Sequence, residues 1–119
     1  MKIEVGMWAR KENELFECTM SSNEYEVAKY RKQGFSEFQL YDKLMEHIAN
    51  TPQELIEVGD LVYGDNYITP REVYSVDNPN GTVTIIEENY YTYPLKTITK
   101  ILTPNSNGGY DLQWEALWD

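Results

Sequence analysis

Two short segments, residues 3–7 and 56–61, alternate apolar and polar residues, and each contains a glycine near its end. Alternation with a period of two is typical of a strand with one buried face. Glycine permits a sharp bend or a bulge where such a strand turns. The pattern therefore predicts that each half of the chain opens with a short strand.

The rest of the second half has the composition of further strands. Residues 71–76 and 82–86 contain several β-branched and aromatic side chains, and the turn residues 78–81 (Asn-Pro-Asn-Gly) lie between them. Asn-Gly tolerates positive φ at both central turn positions, so this stretch predicts a β-hairpin. Alternating apolar residues predict two more strands, at residues 90–93 and 110–114.

The middle of the first half shows a different pattern. Asn23 and Glu26 have the spacing of a helix capping box, and Ser36 opens a second such start. The apolar residues between 38 and 48 then recur at helical spacing. One or two helices are expected here, although a strand over 38–44 remains the alternative.

An internal repeat organises the chain. Residues 3–6 (Ile-Glu-Val-Gly) recur at 56–59, an offset of 53 residues, and further matches at an offset of 52 pair Tyr41 and Thr51-Pro52 with Tyr93 and Thr103-Pro104. Repeats of this length indicate duplicated supersecondary units. We therefore predict two related units, residues 1–54 and 55–119. The predicted fold class is α+β and strand-rich, with the two units either separate or merged into one antiparallel sheet.

Acidic residues dominate the charge. Twenty Asp and Glu stand against ten Lys and Arg, and residues 55–119 hold ten of the acids but three of the bases, so this half carries seven of the ten net negative charges. Such a chain repels phosphates and anionic lipid heads, which argues against direct nucleic acid or membrane binding.

With neither a signal peptide nor an apolar run long enough for a membrane span, the expected location is the cytoplasm.

The sequence offers little equipment for catalysis. Cys18 and His47 are the only residues of their kinds and share no motif, so a Cys-His pair or a zinc site is not expected. No glycine-rich phosphate loop occurs either. A small hydrolase using two carboxylates would need an acid pair in a pocket, which a sequence does not reveal. We expect no enzyme, no cofactor and no metal.

Tyrosines and acids concentrate together in the second half. Tyrosine supplies rigid amphipathic contact area, and carboxylates attract a basic partner. The alternative is that tyrosine fills strand positions while acids keep the protein soluble. The predicted partner-binding residues are Asp60, Tyr63, Asp65, Tyr67, Glu87, Glu88, Tyr90, Tyr91 and Tyr93.

The stretches 44–48 and 55–62, with the ending 98–104 followed by 110–115, resemble small acidic proteins of phages and prophages in Gram-positive bacteria. The likeness is weak in the N-terminal part, where Met7-Trp8 replaces the usual Asp and apolar pair. It implies two tandem small SH3-like β-barrel units and an origin in a mobile element. The motifs themselves are structural and imply no activity.

A small acidic phage protein acts in the cytoplasm of its host bacterium, and its expected target is a host protein with a basic surface. The leading hypothesis is an anti-defence inhibitor, namely an anti-CRISPR protein of a type II RNA-guided nuclease, because such nucleases hold nucleic acid in positively charged channels. The alternative hypothesis is a small-barrel adaptor that binds a peptide, or a host transcription or replication factor, through an aromatic groove.

Overall fold

The computed structural model describes residues 3–65 and 67–116, apart from the side chain of Ile68. In these residues the regular structure consists of eleven β-strands and three 3₁₀ helices of three or four residues. The prediction of an α+β fold with one or two helices is therefore wrong, because the described chain is nearly all β. The strands form two antiparallel sheets, and the chain forms two compact units, Met1–Leu55 and Ile56–Asp119.

The first unit contains five strands in the order β4-β3-β2-β1-β5. A 3₁₀ helix, Asp42–Leu44, precedes the last strand, and a second, Pro52–Leu55, ends the unit. The strands are β1 (Trp8–Lys11), β2 (Glu14–Met20), β3 (Val27–Arg31), β4 (Phe38–Tyr41) and β5 (His47–Ala49).

The second unit contains six strands in the order β11-β10-β6-β7-β8-β9. Its 3₁₀ helix, Leu95–Thr97, lies between β9 and β10. The strands are β6 (Leu61–Gly64), β7 (Tyr67–Asp77), β8 (Thr82–Ile86), β9 (Tyr90–Pro94), β10 (Ile98–Pro104) and β11 (Tyr110–Glu115). The hairpin predicted at residues 78–81 is confirmed, since β7 ends and β8 begins on either side of it.

The two units share one strand order. β6 to β10 follow one another and pair as β1 to β5 do, and β11 extends the second sheet. The offset of 53 residues holds at both ends of this framework, since β1 corresponds to β6 and the helix Asp42–Leu44 to Leu95–Thr97. A single merged sheet is thus wrong. In each sheet, the two strands at the ends of the order are not paired with each other in the described residues, so this pairing does not close a barrel.

The segment predicted as helix is a turn followed by strands. The Asn23 side-chain oxygen accepts hydrogen bonds from the N–H groups of Tyr25 (2.8 Å) and Val27 (3.2 Å), which closes a turn instead of capping a helix. Asn and Asp bind their own following backbone in this way, and the resemblance to a capping box arises from it. The side chains after the turn alternate as in strands, between buried and more exposed in β3 and between half-buried and exposed in β4.

The segments predicted as opening strands are turns. Gly6 and Gly59 have φ of +90° and +96°, a conformation that glycine adopts without steric cost. In each turn an N–H group donates to the carbonyl three residues earlier, Met7 to Glu4 and Asp60 to Glu57. The repeated Ile-Glu-Val-Gly motif therefore encodes a turn that leads into β1 or β6.

Each unit has its own apolar core. The first is built around Phe16, whose ring meets Phe38 and Tyr30 edge to face at 5.4 and 6.5 Å. Its buried members are Ile3, Ala9, Phe16, Cys18, Ala28, Tyr30 and Met45. The second unit buries aliphatic residues, namely Ile56, Val62, Val73, Val83, Ile85, Leu95, Ile98 and Ile101.

Candidate binding surface

The predicted contact residues Tyr90 and Tyr91 lie on opposite faces of the second sheet. Across β8 and β9, Ile85 faces Tyr91 and Ile86 faces Tyr90. Ile85 is buried and Ile86 is exposed, and successive side chains of a strand point to opposite faces. Tyr90 therefore lies on the outer face, whereas Tyr91, 42% exposed, lies on the side of the core.

Asp60 has no surface to offer a partner, because it is only 1% exposed. Its carboxylate accepts a hydrogen bond from the Glu57 N–H at 2.9 Å, and its carbonyl accepts one from the Val73 N–H at 2.9 Å. Its role is to close the turn before β6. The burial of Asp60 contradicts the prediction that it contacts a partner.

Tyr63 and Asp65 are not brought together with Tyr90. They lie on and just after β6, and β7 and β8 separate that strand from β9. The Lys100 ammonium lies 5.0 Å from the centre of the Tyr63 ring, and the exposed Asp65 donates its N–H to the Thr97 carbonyl. These two residues belong to the neighbourhood of β6 and β10.

Tyr67, Tyr93, Arg71 and Glu87 form a cluster. The Tyr67 and Tyr93 ring centres are 5.6 Å apart, and the Arg71 guanidinium carbon lies 5.8 Å from the Tyr67 ring. Arg71 Nη2 is 2.8 Å from the Glu87 carboxylate. Glu87 is therefore already neutralised within its own unit, whereas its neighbour Glu88 is an exposed carboxylate.

This cluster is tightly packed around Tyr67. A Cβ atom on the facing Gly64 would lie 3.0 Å from the Tyr67 hydroxyl oxygen. That hydroxyl and Arg71 Nε are buried atoms without a hydrogen-bond partner among the described residues. Burial, with a smaller contribution from Tyr93, raises the pKa of Tyr67 to about 12, although the Arg71 cation acts in the opposite direction. At neutral pH the phenol is protonated.

Tyr74, Ile86 and Tyr90 form an exposed surface on three neighbouring strands. The Tyr74 and Tyr90 ring centres are 4.5 Å apart, and Ile86 lies directly beside Tyr90 in the pairing of β8 with β9. The exposed fractions of Tyr74, Ile86 and Tyr90 are 52%, 36% and 62%. Six residues on the outer side of these strands are here called the aromatic face, namely Glu72, Tyr74, Thr84, Ile86, Tyr90 and Thr92.

Sequence reasoning missed Tyr74 and Ile86 as surface residues. Ile86 could have been predicted from the strand register, because a three-residue turn at 87–89 places it opposite Tyr90. Tyr74 is the extra residue of a β-bulge, since Val73 and Ser75 pair with the successive residues Ile85 and Thr84. No sequence signal marks that bulge.

The first unit has a bulge at the matching place, and its outer face carries charges. Thr19 and Glu37 occupy the positions of Tyr74 and Tyr90, and their side chains are joined by a hydrogen bond of 2.8 Å. Arg31 occupies the position of Ile86 and pairs with Glu17 at 2.8 Å. In the first unit, charges satisfy one another where the second unit exposes aromatic and aliphatic side chains.

Cys18 and His47, the two residues considered as a catalytic pair, lie on different strands that are not neighbours. Cys18 is buried on β2 and His47 is exposed on β5, with β1 between the two strands. Burial raises the pKa of the Cys18 thiol, which favours the unreactive protonated form. Among residues 3–65 and 67–116, no group of three His, Cys, Asp or Glu side chains is placed to hold a metal ion.

A depression of about 280 Å³ lies beside β4, lined by Val27, Gln39, Leu40 and Tyr41. None of these side chains is a carboxylate, an imidazole or a thiol, so no acid pair for hydrolysis lies among the described residues that line the depression. Within the described residues, no helix is long and apolar enough to cross a membrane.

Comparison of the chain with protein-family models, curated proteins and solved structures gives no match. The resemblance to small phage proteins therefore stays a prediction, and function has to be argued from the surface itself.

Proposed function

We propose that the protein binds a basic surface of another protein through the aromatic face of its second unit and inhibits that partner. One observation carries the proposal. At matching positions of the two sheets, the first unit joins Thr19 to Glu37 and Glu17 to Arg31, whereas the second leaves Tyr74 and Tyr90 exposed.

The chemistry of the face supports a basic partner. Tyr74 and Tyr90 offer ring surfaces on which Arg or Lys side chains can stack. Glu72 on the face and Glu88 in the adjoining turn are exposed carboxylates. Neither β8 nor β9 contains a charged residue, and residues 55–119 carry a net charge of seven negative units, ten acids less three bases. This distribution attracts positive charge over long distances.

The partner class that we propose is a type II RNA-guided nuclease. Its positively charged channels hold guide and target, and an acidic protein with exposed rings could occupy such a channel. The resemblance of the chain to small phage proteins supports a host defence protein as the target. On this proposal the protein acts in the cytoplasm of the host.

The first experiment measures target cleavage by a panel of purified type II nucleases with increasing amounts of the protein. We expect at least one nuclease to be inhibited. The variant Tyr74→Thr/Tyr90→Glu copies the first unit and should weaken inhibition by at least about 30-fold, because aromatic residues at the centre of an interface contribute about 2 kcal/mol or more. Unchanged cleavage by every nuclease would overturn this partner class.

Matched charge reversals test the site. Glu72→Lys with Glu88→Lys changes exposed acids at the aromatic face, whereas Glu4→Lys with Glu24→Lys changes exposed acids of the first unit by the same net charge. The first pair should impair inhibition and the second should leave it nearly unchanged. Equal effects would mean that the total charge, and not this face, decides binding.

The adaptor hypothesis is favoured by one observation, the exposed apolar area of Tyr74, Ile86 and Tyr90. Binding that depends on these side chains alone should vary little with salt, whereas attraction between opposite charges weakens as salt screens it. Affinity measured at several ionic strengths therefore separates the two hypotheses.

A further inference from the structure

We propose that the partner supplies an extended basic segment that pairs with β9 and adds a strand to the second sheet. The inference rests on the proposed function and specifies how the partner is held. β9 stands at the end of the strand order and so presents one unpaired edge within the described sheet. An exposed edge is a template for a strand from another chain.

The pairing of β9 with β8 determines which backbone groups are free. The Leu95 N–H donates to the Gly81 carbonyl, and the Glu87 N–H donates to the Asn89 carbonyl. Between these two points the register runs without a shift. Since hydrogen-bonded and non-bonded pairs alternate in an antiparallel ladder, Tyr91 and Tyr93 bond to β8.

Tyr90 and Thr92 consequently direct their N–H and C=O groups away from β8. Two observations agree with this assignment. The Thr84 and Thr92 hydroxyl oxygens are 2.9 Å apart, as expected where side chains approach most closely, at a non-bonded pair. Pro94, which has no N–H, occupies the next outward position, where no donor to β8 is needed.

Of the features that normally block an edge, β9 has only Pro94, at its C-terminal end. Natural edge strands carry charges, prolines or bulges, or are very short. Of the three other strands that end the sheets, β5 has three residues, β4 has four, and β11 carries Asp111 and Glu115. β8 and β9 contain no charged residue, and their register has no shift.

Charge selects a basic segment over a second copy of the chain as the occupant. Pairing β9 with another β9 would bring together two units of strong negative charge, which repel. An extended segment with Arg or Lys at alternate positions would instead place its cations on one face, beside Tyr90 and near Glu88. Its backbone would bond to Tyr90 and Thr92.

The test uses an alternating arginine–threonine peptide of about ten residues, the upper range of natural strand lengths. Its binding to the full chain is measured by fluorescence anisotropy. Thr92→Pro removes one outward N–H and leaves the bonds from β9 to β8 in place, whereas the control Thr92→Val keeps that N–H. Thr92→Pro should weaken binding by at least about tenfold and Thr92→Val by no more than about threefold.

Amide hydrogen exchange provides a second measurement that needs no variant. In the free protein the Tyr90 and Thr92 amides should exchange faster than those of Tyr91 and Tyr93. Saturating peptide should slow the exchange of Tyr90 and Thr92. Absence of that protection would overturn strand addition, even if Thr92→Pro failed to fold.

The outcomes separate the two proposals. If Tyr74→Ala and Tyr90→Ala abolish peptide binding while Thr92→Pro does not, the aromatic face binds without strand addition, and only this inference fails. If the peptide does not bind and no nuclease is inhibited, both proposals fail. If sedimentation shows a dimer that Thr92→Pro dissociates, the edge is filled by a second copy, and the basic occupant is wrong.

Discussion

In the first unit Phe16 packs against Phe38 and Tyr30 on the core side of the sheet, whereas the matching position of the second unit holds Arg71. The correspondence follows from the strand pairing. Phe16 pairs with Ala9 of β1, and Arg71 pairs with Val62 of β6, which lies 53 residues after Ala9. The outer faces differ in the opposite sense, with charges on the first and rings on the second. One strand order therefore supports two distributions of aromatic and charged side chains.

The comparison shows which features hold the framework. Both units keep the glycine turn, the bulge on the second strand and the 3₁₀ helix before the fifth strand. The residues on the two faces of the sheet are free to change, provided that the core remains filled. The first unit uses this freedom to pair its charges, and the second uses it to expose tyrosines.

Exchanging the residues at the two core positions should have the largest effect. Phe16→Arg places a cation among Tyr30 and Phe38, and we expect it to lower the free energy of unfolding of the first unit by at least about 3 kcal/mol. Arg71→Phe exchanges a partly exposed ion pair for apolar burial, so the second unit should change by no more than about 1 kcal/mol. Urea titration followed by amide signals from each unit measures both. If Arg71→Phe lowered the free energy of unfolding as much as Phe16→Arg, position 71 would not accept an aromatic ring as position 16 does, and the two positions would not be equivalent.

A second difference concerns Asp42 and Leu95, which begin matching 3₁₀ helices. Asp42 is buried and accepts hydrogen bonds from the hydroxyls of Tyr30, at 3.0 Å, and Ser22. Asp42→Ala leaves two hydroxyls without this acceptor and should cost the first unit about 2 to 3 kcal/mol. Asp42→Asn retains an acceptor oxygen and should cost less. The same urea titration compares them, and equal losses would show that volume, and not hydrogen bonding, is what Asp42 supplies.

Local turn chemistry made much of the second unit predictable from sequence. Asn80-Gly81 predicted the hairpin, and the residues on either side were correctly predicted as strands. The first unit was misjudged because Asn23 followed by Glu26 fits both a helix start and a side-chain-closed turn. The tertiary pairing of β3 with β2 and β4 decides between them, and no local pattern contains that information.

The candidate surface was predictable only in part. Composition placed tyrosines and acids in the second half, and Tyr90 and Glu88 are indeed exposed there. Faces depend on register, however, and one residue of shift moves a side chain to the other side of a sheet. The bulge at Tyr74 arises from the pairing of β7 with β8, and Asp60 accepts a backbone hydrogen bond from the distant Val73, so the sequence pattern revealed neither.

The cluster around Tyr67 should respond to high pH. Because burial raises the pKa of Tyr67 to about 12, above the ordinary value of 10.0, its contribution to stability is fully present below about pH 10 and is lost as the pH rises through 12. The ring is partly exposed and solvent screens the effect, so we expect a loss of about 1 kcal/mol. Tyr67→Phe should remove this part of the dependence and leave stability at neutral pH unchanged, since the hydroxyl has no hydrogen-bond partner among the described residues. Urea titrations at several pH values test both variants, and an unaltered pH profile would contradict the assignment.

The smallest effect is expected for the ion pairs on the first outer face. Glu17 and Arg31 are 2.8 Å apart, with side chains 32% and 49% exposed. A double-mutant cycle with Glu17→Ala and Arg31→Ala should give a coupling below about 1 kcal/mol, because partly exposed pairs are screened by solvent. That coupling should decrease further as salt is added. The matched cycle in the second unit, Glu72→Ala with Ile86→Ala, should give a smaller coupling energy, because Ile86 carries no charge.

A weak coupling would mean that Glu17 and Arg31 add little to stability and that their effect is to satisfy charge on the outer face, so that it attracts no partner. The exposed rings at Tyr74 and Tyr90 would then be the departure that requires a binding role. A coupling above about 2 kcal/mol, larger than exposed pairs normally give, would mean that the Glu17–Arg31 pair stabilises the first sheet. The second unit would in that case lack a source of stability that the first possesses. The contact between the Tyr74 and Tyr90 rings could then replace the ion pair in stabilising the second sheet, and its contribution to stability would have to be measured before the two tyrosines are assigned to partner binding.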